Sequence, residues 1–164
     1  VKVLFLDIDG VLNSSQHFKR TTELRQKTSK QGMDFRDSEW LTNIDQVCVN
    51  HLKHLMSKVP DLHIVISSTW RKTHPITLLK KNLSEMLNVN SDRILGITPV
   101  LWKNGEVRGD EIQAWLNEHP DVSRFAIVDD DSDMAHLQSH LFKTTWEKGL
   151  QFEHVSKIEE FLNA

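Results

Sequence analysis

Residues 1–6 form a short, nearly unbroken apolar run with one lysine, a pattern that suits a strand buried on both faces. Similar short runs lie at residues 62–66, 94–97, 125–128 and 141–143. Between them the period changes. Leu41, Ile44, Cys48, Leu52, Leu55 and Val59 recur at three- and four-residue steps, which predicts one face of a helix ended by Pro60. Leu78, Leu79, Leu83 and Leu87 predict a second helix, with Pro75 in its first turn. Residues 110–118 predict a third, with Ile112, Trp115 and Leu116 inward, and residues 155–162 a closing one. Residues 14–39 are polar with little periodicity and read as a long loop or flap. Asn104-Gly105, inside residues 100–107, is a hairpin-turn signal. Strands alternating with helices predict a single α/β domain over residues 1–164, a Rossmann-like three-layer sandwich around a central parallel sheet.

Composition adds limits. The chain has 164 residues, 38% of them hydrophobic and 26% charged, with a net charge of −3, so no global basic field draws it to nucleic acid or membrane. Its one cysteine, Cys48, excludes an internal disulfide and a cysteine zinc site. No run reaches the ~18 apolar residues of a membrane span, and the start shows no signal-peptide pattern. The expectation is a soluble, cytoplasmic protein.

In open parallel sheets, functional groups gather beyond the carboxyl ends of the strands. The first strand is followed by Asp7, Asp9 and Gly10, the second by Ser67 to Lys72 (SSTWRK), the fourth by DDDSD, residues 129–133. Several carboxylates at one edge require either protons or a cation. Oxygen ligands without cysteine suit a hard ion such as Mg²⁺, which also lets an anionic nucleophile approach a phosphoryl group. Asp7 is placed to attack phosphorus. Asp9 is placed to protonate the leaving oxygen and then to activate water. Gly10 frees the backbone for close approach of substrate. Ser67 is placed to donate to a phosphoryl oxygen, with Ser68 or Thr69 as substitutes. Asp130 or Asp129 completes the metal site, and a cation from Arg108, Arg71, Lys72 or Lys103 balances the transition state.

These residues resemble the haloacid dehalogenase-like (HAD) phosphohydrolases. DIDGV is similar to their first motif, IVISS to the second and IVDDDSD to the fourth. Together FLDIDGVLNS, SSTWR, TPVLW, RGDEIQAWL, IVDDDSDM and the late KGL resemble the HAD domains associated with multidomain RNA-repair proteins. The resemblance implies Asp7 as nucleophile and Asp9 as acid/base and, through its backbone carbonyl, metal ligand. It implies Ser67 as phosphate ligand; from the residues themselves, Gly10, Ser68 and Arg71 are expected about the substrate. It implies Asp130, then Asp129, as further metal ligands, with Asp133 in support. The family's third motif carries a lysine, where this chain has Arg108-Gly109, so a fork of donors replaces a point charge. The second aspartate speaks against dehalogenation. Neither insertion point holds a full cap domain, so little or no cap is expected.

Other features fit ordinary roles. Asp131 and Asp133 suit a helix cap or a solvated turn. His51 and His54 fall on the polar side of their helix, and Cys48 on its apolar stripe. Trp115 reads as core. Trp40, Trp70, Trp102 and Trp146 also favour packing, although one could stack on a base. Residues 17–36 carry Lys19, Arg20, Arg25, Lys27, Lys30 and Arg36 against Glu23 and Asp34, a balance of +4. Such a flap suits a polymeric phosphate and equally a solvated loop. The expected activity is Mg²⁺-dependent phosphomonoester hydrolysis, with a nucleic acid 3′-phosphate end as first substrate. The alternatives are a nucleoside monophosphate or other small-molecule phosphatase, or a non-catalytic metal- and phosphate-binding module.

Overall fold

The computed structural model describes residues 1–30, 40, 42–101 and 105–164. Five strands form one sheet: β1 (Lys2–Leu6), β2 (Leu62–Ile66), β3 (Ile94–Ile97), β4 (Arg124–Asp129) and β5 (Leu141–Lys143). Their order is β3-β2-β1-β4-β5, and every pairing is parallel. Alternate side chains of each strand enter opposite layers. Leu4, Leu6, Ile64, Ile66 and Val128 pack under three helices, α3 (Gln46–Lys58), α4 (Ile76–Leu87) and α6 (Phe152–Asn163). Val3, Phe5, Val65 and Ile127 pack with Ile112 and Trp115 of α5 (Arg108–Asn117), and with Met134 and Leu137. Trp115 meets Phe5 edge to face at 5.5 Å, the core role expected of it. The three-layer Rossmann-like expectation holds.

Chain order and sheet order together create the site. From β1 the chain moves outward to β2 and β3, then returns across β1 to β4. The direction of winding therefore reverses between β1 and β4, where a crevice opens beyond the carboxyl ends. Leu6 pairs with both Ile66 and Val128. The next residues continue the ladder, since Asp7 N–H donates to the Val128 carbonyl at 3.1 Å and Ser67 N–H to the Leu6 carbonyl at 2.8 Å. Asp7, Ser67 and Asp129 thus emerge at one level.

Three local expectations change. Residues 15–30 are not irregular: they form α1 (Ser15–Arg20), capped by the Ser14 hydroxyl, and α2 (Thr22–Lys30). Helix α2 has little apolar content, which is why periodicity missed it. Helix α3 begins at Gln46, because the Asp45 carboxylate accepts the Val47 amide and caps it there; Ile44 packs in the core ahead of the helix. The hairpin at Asn104-Gly105 has no strands among its described flanks. The Leu101 amide donates to Glu111 and the Val107 amide to Asp110, so side chains take the bonds a ladder would need. Leu41, Asp34, Arg36, Trp102, Lys103 and Asn104 lie outside the described residues, as do the side chains of Arg25 and Lys30.

Candidate active site

Asp7 and Asp129 stand on either side of the crevice, 8% and 2% exposed, and Asp130 is half-buried beside them. One oxygen from each of these three carboxylates lies within 4.8 Å of the others. Burial raises the Asp7 carboxyl to about 6, even though Arg108 pulls it down. Burial, then the charge of Asp7, raises Asp129 to about 8. Three crowded oxygen donors, two of them buried, fit a hard divalent cation. Asp7, Asp129 and Asp130 are the residues that would hold it.

Among the described residues, Arg108 supplies a positive charge close to the carboxylates. Its Nη1 lies 4.0 Å from Asp7 and 3.9 Å from Asp129, and donates to the Ser67 hydroxyl at 3.4 Å. Of the four cations considered from sequence, Arg108 faces the carboxylates, while Lys72 is exposed. Arg71 is buried behind the site. It donates to the Ser68 carbonyl at 2.7 Å and to the Pro99 carbonyl, and pairs closely with Glu111.

Glu111, which sequence reading missed, ties these parts together. Only 5% exposed, it pairs with Arg71, sits 3.8 Å from Arg108 Nε, and accepts the Leu101 amide at 3.0 Å. One carboxylate thus joins the turns after β2 and β3 to the first turn of α5. Its only sequence signal was a position three residues beyond Arg108, one helical turn along.

The serines divide their contacts. Ser67 meets Arg108, while the Ser68 hydroxyl accepts the Trp70 amide and bonds to Asp7. Gly10 has φ 78°, and a Cβ there would fall 2.4 Å from the Asp130 carboxyl carbon, so glycine is required by both backbone and space. Gly109 is equally confined: a Cβ would meet the Met134 carbonyl oxygen at 2.1 Å. Asp133 accepts the Arg108 backbone amide through its carboxylate and the Gly109 amide through its carbonyl. It therefore caps α5 and stands apart from the three-carboxylate group.

The Asp9 carboxylate is also outside that group. Its oxygens accept from Asn13 at 2.8 Å and from the Trp70 indole N–H at 3.0 Å. Asn13 is fully buried and also accepts the Gly10 amide, so it fixes the turn after β1. Trp70, for which the sequence favours packing over stacking on a base, packs edge to face on Trp40 and also holds Asp9. Asn13 closes the DIDGVLN run, and its turn-forming side chain was the available clue.

No curated protein sequence matches the chain significantly. Among solved structures, it is similar to the HAD domain of effector protein Lem4 from Legionella pneumophila, with 20% identity and a TM-score of 0.52 over 99% of this chain and 94% of that one. It is also similar to a haloacid dehalogenase-like family hydrolase from Streptococcus pneumoniae, with 14% identity and a TM-score of 0.48 over 96% and 90% of the two chains. At these identities the likeness to Lem4 concerns the fold. The sequence itself matches, over residues 3–155, the family described as the HAD domain in Swiss Army Knife RNA repair proteins, a member of a hydrolase superfamily whose enzymes are usually Mg²⁺-dependent phosphatases. With that match spanning nearly the whole chain and both sides of the crevice, the protein belongs to this HAD family.

Proposed function

We propose that this domain is a Mg²⁺-dependent phosphomonoester hydrolase working through an aspartyl-phosphate on Asp7, with a nucleic acid 3′-phosphate end as its preferred substrate. The observation that carries the reading is the grouping of Asp7, Asp129 and Asp130 within 4.8 Å beside Arg108. A cation held by Asp7, Asp129 and Asp130 would supply charge neutralisation for the phosphoryl group. The protein's residues do the rest. An Asp7 oxygen bonds to phosphorus while the bond to the leaving oxygen breaks, and Asp9 gives that oxygen its proton. Water then attacks phosphorus, Asp9 takes the water's proton, and the bond to Asp7 breaks to release phosphate. One hydrogen bond to each Asp9 oxygen orients the carboxyl group and leaves a lone pair free for the proton it exchanges. Ser67 and Arg108 hold the phosphoryl oxygens as charge builds on them.

The nucleic-acid part rests on the repair proteins in which this family occurs and on the basic stretch near α1 and α2. Within that stretch Lys19 and Lys27 are exposed, while Arg20 pairs with Asp45 at 3.2 Å. One buried, unpaired thiol, Cys48, suits a reducing cytoplasm.

The test compares phosphate release from 3′-phosphorylated oligonucleotides, 5′-phosphorylated oligonucleotides and mononucleotides, with p-nitrophenyl phosphate as a general substrate. Mg²⁺ should be required, EDTA should stop turnover, and Asp7→Asn should reduce it to background. Full activity in Asp7→Asn removes the covalent mechanism. No turnover of any phosphoester leaves a binding module.

A further inference from the structure

Trp146 is 47% exposed, an unusual position for an indole, and its ring lies 5.5 Å from that of Phe18 at an interplanar angle of 39°. The chain carrying it is fastened to the active-site turn along its length. The Thr144 amide donates to the Asp129 carbonyl at 3.0 Å, and the Thr144 hydroxyl to the Gly10 carbonyl at 2.6 Å. The Ser15 amide donates to the Trp146 carbonyl at 2.8 Å, and the Leu150 amide to the Val11 carbonyl. At Gly149 the loop presses so close that a Cβ would sit 2.9 Å from the Asn13 carbonyl oxygen. Two peptide units separate Trp146 from Thr144, at most about 7.6 Å between their Cα atoms. The chain path therefore keeps the aromatic pair within a few residues of the Gly10 and Asp129 backbone that borders the acidic crevice.

We propose that the Trp146–Phe18 shelf is the subsite that stacks the nucleobase attached to the scissile phosphate. This rests on the phosphatase reading of the Asp7 site. A π-face binds any base, so such a shelf selects nucleotides over simple phosphoesters without selecting sequence. The surrounding charges suit the same ligand. Lys19, next to Phe18, and Lys143 and Lys148, either side of Trp146 in sequence, are exposed, as is Glu147, so cations are available along this stretch for a phosphodiester chain. A protein partner offering an aromatic side chain is the competing occupant.

The experiment has two readouts. In the active protein, KM is compared for a 3′-phosphorylated oligonucleotide and for glycerol phosphate, which has no base. Trp146→Ala should raise KM about tenfold for the oligonucleotide, within the range for losing one stacked base, and leave glycerol phosphate unchanged. Trp146→Phe should restore most of the difference. In the Asp7→Asn background, calorimetry should show the same loss of oligonucleotide affinity on Trp146→Ala. Equal loss on both substrates makes Trp146 a structural clamp and overturns the proposal, as does unchanged oligonucleotide affinity or absence of oligonucleotide binding. If turnover is absent altogether, the phosphatase reading fails, while the calorimetric comparison still decides whether the shelf binds a base.

Discussion

Glu111→Gln isolates the charge that joins the two arginines. The amide keeps the shape of the side chain and still offers an oxygen to the Leu101 amide, so packing changes little. What is lost is a negative charge on a residue 5% exposed, facing an Arg71 side chain that is 1% exposed. Removing one partner of a buried pair costs about 3–5 kcal/mol, because the remaining ion stays desolvated without compensation. Arg71 keeps its bonds to the Ser68 and Pro99 carbonyls, which places the expected loss near the lower end, ~3 kcal/mol. For a chain of this size each kcal/mol moves Tm by roughly 2–4 °C, so a fall of about 6–12 °C is expected. Urea unfolding measures the free energy, and calorimetry the Tm. Replacing Arg71 with Met in the Glu111→Gln background removes one of the two stranded charges. The double variant should therefore be less destabilised than the two single losses summed. A Glu111→Gln variant within ~1 kcal/mol of the parent, the value typical of an exposed pair, or strict additivity in the double variant, would refute the reasoning.

Two further outcomes follow from the same geometry. Gly109→Ala places a methyl against the Met134 backbone carbonyl, which cannot swing away as a side chain can. The first turn of α5 must shift, costing about 1–3 kcal/mol and moving Arg108 off Ser67; unchanged stability and unchanged turnover would count against a fixed Arg108. In metal-free protein, burial raises Asp7 to about 6 and Asp129 to about 8, above their unfolded value of 3.8. The folded state then holds protons the unfolded chain has released, so stability falls as pH rises through the window from about 4 to 8. Tm without metal should be higher at pH 5 than at pH 8, and Mg²⁺ should raise it more at pH 8; a flat metal-free profile, or equal Mg²⁺ shifts at both pH values, contradicts this.

The alternation of short apolar runs with helical periods was sufficient for the fold, because strands buried on both faces and amphipathic helices have different periods that survive in one dimension. The strand-end groups were legible for the same reason. Asp7, Ser67 and Asp129 each follow a buried run directly, and parallel strands deliver their carboxyl ends to one edge. Tertiary structure decided what spacing could not express. Arg108 was one of four candidate cations, and the start of α5 brings it beside Asp7 and Asp129, while Lys103 lies outside the described residues. The sequence favours Asp130 over Asp133 and gives Asp133 a cap or turn role; the direction of the chain after β4 shows which helix it caps, sending Asp130 to the carboxylate group and Asp133 to the start of α5. Glu111, Asn13 and Trp70 act through partners 40, 4 and 61 residues away, and two of those three separations exist as contacts only after the sheet has formed. Sequence alone determined which residues could share an edge, since strand position is a local property. Which of them touch was decided by helix placement and register, which are properties of the packed whole.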